Sequence, residues 1–392
     1  MEVKELQQHI RTLATLEETS APVISCYLNL EKGPLAAHNA LEARARQVKK
    51  SLAEHEWQDF HEAFDRIAAF LKSELWSEAQ GVAIFARGGA APCWLALQFR
   101  VPLPNWLAAD TVPNIYHLVE LKDTYHRYVV MLSTEESARI VEVNLGSITE
   151  EIWRARPELR QRVGREWSRE HYQNHRRNRT EQFVKEKIAV LEQLMAAGGH
   201  THLVLAGNPR LTAQVRKELP KHLADKLVDT IVASGHDKIS DVVAATLSSF
   251  IEQEELESQA IAERLRREIA TGGLAVIGTA ETFAALQRAQ VDVLVMARDY
   301  APPTGWRCLT CDGVGFAAPE IGKCTECQSN LIKPLNVREE MIRLAEKRAC
   351  HVEIVNHSPA LLEFGGVGAL LRYFSPEQYY WRQQTNAVLL AA

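Results

Sequence analysis

The chain has 392 residues, 46% of them hydrophobic and 24% charged, with a formal net charge of −5. That length exceeds one ordinary core, so two or three domains are expected, and the composition is that of a folded soluble protein whose net charge argues against a general nucleic-acid binder. No apolar run approaches the ~20 residues that cross a bilayer, and the opening MEVKELQQHIRTLATLEE is charged with no apolar signal core, so a cytoplasmic protein without a membrane partner is expected.

In chain order, VISCYLNL (Val23 to Leu30) reads as a buried strand closed by Lys32, Gly33 and Pro34. Helical spacing runs from about Ala36 to Leu75, with Val48, Leu52, Phe60, Phe64, Ile67, Phe70 and Leu71 inward. GVAIFAR and CWLALQF flank Gly88-Gly89 as a hairpin, and Pro102, Pro104 and Pro113 punctuate the chain before a first boundary near 124. YVVMLS and ARIVEV make a second hairpin, followed by a helix from about Arg177 to Ala197. The strand HLVLAG, a helix from Pro209 and the strand LVDTIVA continue an α/β alternation. A helical run from about Ser240 to Ala270 contains the second boundary. Beyond it come the strand LAVIG, a helix at Ala280 to Ala289, the strand VDVLVMA, a cysteine-bearing insertion, a helix, the strand HVEIVN and a glycine-rich end. Asn336 and Glu339 have the spacing of a capping box for that last helix. The expected segments are 1–124, 125–255 and 256–392, with the insertion at 306–330.

Seven cysteines include two CxxC pairs, Cys308 with Cys311 and Cys324 with Cys327, separated by a twelve-residue spacer rich in Gly and Ala. Each pair offers two thiolates to one tetrahedral ion, so a closed, structural zinc ribbon is expected in a reducing compartment. A redox CxxC is the competing reading, but two pairs at ribbon spacing disfavour it. Cys26, Cys93 and Cys350 sit in or beside apolar strands and read as core residues.

From Arg154 to Lys187 there are eleven Lys/Arg against five Asp/Glu, so this stretch is +6 and the remainder of the chain −11. Arg160 to Arg179 interleaves arginines with Trp167, His171, Tyr172 and His175, a pattern that fits phosphate forks and base stacking on RNA. An isolated charge run is ordinarily a solvated face, here with Glu166, Glu170 and Glu181 as partners; the excess of one sign and Trp167 favour RNA. The expected contacts are Gly164, Arg165, Trp167, Arg169, His171, Tyr172, Arg176, Arg177 and Arg179.

FGGVGALLRYF (Phe364 to Phe374) resembles the Gly-Gly-x-Gly-Ala-x-Leu-Arg-Tyr ending of archaeal and eukaryotic class-1 peptide release factors and of Pelota. AVIGTAETFAALQRAQVDVLVMARDY is similar to the family segment before the zinc insertion, and the strands at Tyr128 and Ala138 to its middle domain. Within that family the chain resembles the bacterial, Balon-like branch. The resemblance implies a three-domain α/β architecture with the ribbon inserted in the last domain. It further implies entry to the ribosomal A site against ribosomal RNA, with a translational GTPase such as elongation factor Tu as partner. Where release factors carry Gly-Gly-Gln, this chain has Gly164-Arg165-Glu166-Trp167-Ser168, and the stop-codon-reading Asn-Ile-Lys-Ser is missing. Stop-codon termination is therefore not expected. The expected role is ribosome hibernation or rescue with no catalytic residue; the alternatives are a peptidyl-tRNA hydrolase with a non-standard loop, and an RNA- or protein-binding module acting away from the ribosome.

Overall fold

The computed structural model describes residues 3–155, 169–198, 200–316 and 322–374. The chain divides into two compact units, Tyr125–Glu254 with Met1–Val3, and Lys4–Thr124 together with Glu255–Ala392. Among the described residues no helix is long and apolar enough to cross a membrane.

The larger unit begins with α1 (Val3–Ala14), β1 (Val23–Asn29), α2 (Pro34–Lys49), α3 (Trp57–Ser73), β2 (Gly81–Arg87), β3 (Cys93–Phe99), β4 (Trp106–Asp110) and α4 (Tyr116–Thr124). The strands form a sheet in the order β3-β2-β1-β4, antiparallel at each pairing. Alternation sends Ile24, Cys26 and Leu28 of β1 into a core with Leu41 of α2 and Phe60, Ile67 and Phe70 of α3. The opposite face is buried too: the Tyr27 hydroxyl donates to Asn114 O at 2.8 Å, and Asn114 N donates to Ser25 Oγ at 2.9 Å. Burial on both faces explains why β1 is largely apolar, with the buried Ser25 hydroxyl taken up by the Asn114 N–H. The helical stretch expected over 36–75 breaks after Lys49, where Ser51 Oγ donates to Val48 O and Glu56 Oε2 takes the Ala53 N–H.

The smaller unit contains β5 (Tyr128–Ser133), β6 (Ser137–Asn144), β7 (Ser147–Ala155), α5 (Arg169–Gly198), β8 (His202–Gly207), α6 (Pro209–Glu218), α7 (Lys221–Ala224), β9 (Leu227–Val232) and the first half of α8 (Ile239–Ala270). Its sheet order is β7-β6-β5-β8-β9, with β5, β8 and β9 parallel and β6 and β7 antiparallel. One face packs Val129, Met131, Leu203 and Leu205 against α5 and α6 through Val184, Ile188, Leu191 and Val215. The other packs Tyr128, Val130 and Val204 against Val242, Val243 and Phe250 of α8, with the Tyr128 and Phe250 rings stacked at 4.4 Å. β7 was not expected. Its sequence SITEEIWRA carries charge where an interior strand carries apolar residues, as edge strands do.

The larger unit resumes in α8 and continues through β10 (Ala275–Ile277), α9 (Thr279–Gln287), β11 (Val291–Ala297), β12 (Gly305–Cys308), β13 (Val314–Gly315), β14 (Ile332–Leu335), α10 (Val337–Lys347), β15 (His351–Val355), α11 (Pro359–Glu363) and β16 (Val367–Leu371). One sheet has the order β10-β16-β11-β15; the ribbon is a second, β13-β12-β14. The glycine-rich run serves this sheet. Gly366 has φ of +75°, and a Cβ there would lie 2.9 Å from the Tyr300 ring. At Gly368, in the interior strand β16, a Cβ would lie 2.8 Å from Val276 O.

Helix α4 joins the two parts of this unit. The Glu339 carboxylate on α10 does not return to its own helix cap as the capping-box spacing suggested. Its Oε2 instead accepts from the N–H groups of Ile115 and Tyr116 at 2.8 and 3.1 Å, while Asn336 Oδ1 still accepts from Glu339 N at 3.3 Å. The start of α4 is buried, and its orphan donors need a buried acceptor more than an exposed cap does. Lys122 Nζ reaches Glu346 Oε1 at 2.8 Å, Gln7 Nε2 reaches Glu346 Oε2 at 2.7 Å, and Arg298 Nε pairs with Glu120 at 2.7 Å.

Candidate metal centre and basic segment

The two CxxC pairs form near-identical turns. Cys308 N donates to Gly313 O at 2.9 Å and Asp312 N to Cys308 O at 3.1 Å; Cys324 N donates to Ser329 O at 2.8 Å and Gln328 N to Cys324 O at 3.0 Å. Asp312 and Gln328, each directly after the second cysteine of its pair, have φ of +58° and +61°. This backbone repeat aims both cysteines of each turn inward. All four sulfurs lie within 4.8 Å of one another, with Cys308 to Cys327 at 3.5 Å and Cys311 to Cys324 at 3.6 Å. A tetrahedral zinc with Zn–S of ~2.3 Å sets its sulfurs about 3.8 Å apart, so the set can hold a metal with little movement.

Cys308 and Cys324 are buried with Trp306, and the partly buried Ile332 packs against them, whereas Cys311 and Cys327 are exposed. Burial works against the Cys308 thiolate, but the Thr310 and Cys311 N–H groups hold its pKa down at about 6. The Cys311 thiol is pushed up to about 12 by the neighbouring sulfurs of Cys327, Cys324 and Cys308, against the Gly313 N–H. Four sulfurs this close share protons unless a cation replaces them. The small residues of the spacer have a packing role: a Cβ at Gly315 would meet the Trp306 indole at 2.4 Å. Beside it, Phe316 meets Phe283 of α9 edge-on at 5.3 Å. Residues 317–321 lie outside the described residues.

The ribbon strands are tied to the start of the chain. Arg307 Nη2 pairs with Glu340 Oε1 at 2.6 Å, Arg343 Nε pairs with Glu340 Oε2 at 2.8 Å, and Glu18 faces Arg307 at 3.6 Å, Arg343 at 3.8 Å and Lys333. The sequence gives no sign of these partners, because roughly 300 residues separate Glu18 from them.

The basic segment divides. Gly164, Arg165 and Trp167 lie outside the described residues. Arg169, His171, Tyr172, Arg176, Arg177 and Arg179 all fall on α5, which begins eight residues earlier than the spacing suggested. Positions 169, 172, 176 and 179 share one face of that helix by their spacing. Lys187, counted among the cations of this stretch, does not belong to a binding face. It is 2% exposed, donates to Ser133 Oγ at 3.0 Å and Thr134 O at 2.7 Å, and lies over the Phe183 ring.

The fold and the cysteine centre define a mixed α/β protein of several segments with a four-cysteine ribbon between β11 and α10. Residues 113–250 match the family model described as bacterial archaeo-eukaryotic release factor family 10. That match shows likeness to a release-factor family over those residues, about a third of the chain. It covers α4 and nearly all of the smaller unit, including the whole basic segment, and stops short of the glycine-rich run. Among solved structures, Pelota of Archaeoglobus fulgidus is 13% identical over 95% of this chain and 93% of its own, with a TM-score of 0.37. A model of ribosome-bound archaeal Pelota and ABCE1 is 13% identical over 95% of this chain and 94% of that one, with a TM-score of 0.39. Dom34 of S. cerevisiae, described as a translation termination-like factor in RNA quality control that interacts with Hbs1, is 11% identical over 76% of this chain and 80% of its own, with a TM-score of 0.38. No residue role passes to this chain from likenesses at these scores. A search of the curated proteins finds no match.

Proposed function

We propose that the protein is a ribosome-binding translation factor that occupies the A site, in hibernation or rescue, without reading stop codons. The observation that carries this reading is the family match over 113–250, because it contains the +6 segment of an otherwise acidic chain. Arg165, Trp167, Arg169, His171, Tyr172, Arg176, Arg177 and Arg179 contact ribosomal RNA, the arginines through phosphates and the aromatics by stacking. Gly164 leaves room for close backbone approach. Arg165 and Glu166 put charged side chains where release factors carry glycines, so this segment fills its site instead of placing a water at the ester. The four-cysteine centre holds zinc, which closes the ribbon and has no open position for catalysis. A translational GTPase such as elongation factor Tu is the partner that the family resemblance implies.

The test is co-sedimentation with purified ribosomes across a salt series, with aminoacyl-tRNA as competitor. Binding should weaken steeply with salt, because phosphate contacts release counterions, and A-site tRNA should displace the protein. Binding that is indifferent to both salt and tRNA would contradict the proposal.

A further inference from the structure

In the larger unit, two carboxylates and an imidazole from distant parts of the sequence converge. Asp123 stands in the last turn of α4, and His351 and Glu353 share a face of β15, two residues apart. One donor atom from each lies within 4.8 Å of the other two. β15 is the edge of its sheet, and Asp123 Oδ2 accepts the Ile354 N–H at 2.8 Å. Glu353 Oε1 accepts from the Ser258 hydroxyl of α8, and Glu353 Oε2 lies 3.1 Å from His351 Nε2. Asp123 and Glu353 are each 6% exposed, whereas the His351 side chain is 46% exposed. The cluster therefore has a buried acidic floor and an imidazole on its open side.

We infer that Asp123, Glu353 and His351 Nε2 bind a divalent first-row transition ion at a site separate from the four cysteines. One imidazole nitrogen with two carboxylates suits zinc, manganese or iron(II), whereas calcium and magnesium take oxygen donors alone. Donors about 2.0–2.2 Å from an ion stand roughly 3.3–3.6 Å apart when tetrahedral, inside the 4.8 Å that bounds the three donors here. One oxygen of each carboxylate is already held by a neutral donor, the Ile354 N–H and the Ser258 hydroxyl. That outer arrangement orients metal-binding carboxylates. The bound ion links α4, α8 and β15.

The experiment is metal analysis of the full-length protein after dialysis against excess zinc and then metal-free buffer. Two zinc ions per chain are expected, one at the cysteines and one here. His351→Ala and Glu353→Gln should each hold one. With cobalt(II) as probe, intense thiolate charge-transfer bands report the cysteines and weak d–d bands the second site, so both variants should lose only the weak bands. His351→Gln, at an exposed side chain, serves as a folded control with the same expected loss. One zinc per chain in the parent protein, or a second that survives both substitutions, overturns the inference.

Discussion

At Glu339 a single carboxylate joins sequence positions more than two hundred apart, and its chemistry gives a pH prediction. Burial pushes its pKa up to about 7, against the pull of the Tyr116 and Ile115 N–H groups and of Arg338. The folded protein therefore holds this proton more tightly than the unfolded chain does. The stability it contributes is complete below the ordinary carboxylate range and falls as pH rises from about 4.5 to 7. Thermal melts of the parent protein should show that decline, and Glu339→Gln, which keeps an acceptor without the charge, should flatten it. Glu339→Ala leaves two buried N–H groups without their acceptor and should cost about 2–4 kcal/mol. A second residue-scale prediction separates structure from binding within the basic stretch. Lys187→Met should lower the melting temperature and leave the salt dependence of ribosome binding unchanged. Arg176, Arg177 and Arg179 changed together to Glu should do the reverse. If the triple variant binds ribosomes normally at moderate salt, those arginines form only a solvated face.

At the scale of elements, the ribbon strands are tied to their surroundings through the ion pairs of Arg307 and Lys333. Cys308→Ser should lose the metal and destabilise the unit that holds it. Because Glu18 faces Arg307 and Lys333 on the ribbon strands, amide exchange should also quicken in the segment before β1. Exchange confined to the ribbon would show that the Glu18 contacts do not transmit. The same elements show what the sequence reveals. The four cysteines were legible because ribbon spacing is local, and β1, β2, β5 and β8 were legible because strands buried on both faces are mostly apolar. β7 was not, since an edge strand carries charge, nor was the break after Lys49, where the apolar spacing continues across a turn. Glu339 was misread because its true partners are non-local. Asp123, His351 and Glu353 carry no sequence signal at all, being brought together only by packing.

For the whole molecule, the proposed function rests on the +6 segment within the family match, and the sequence Gly164-Arg165-Glu166-Trp167-Ser168 in place of Gly-Gly-Gln makes absence of peptide release its expected outcome. Purified protein at saturating concentration should release peptide from loaded ribosomes no faster than background. A rate well above background that is lost in Glu166→Ala would make the protein a hydrolase. The most direct measurement is a density map of the protein bound to ribosomes. The chain is expected in the A site, with residues 156–179 against ribosomal RNA at the peptidyl-transferase centre and no contact to the codon that reads its sequence. A chain bound outside the A site, or bound there with the basic segment turned to solvent, would contradict it.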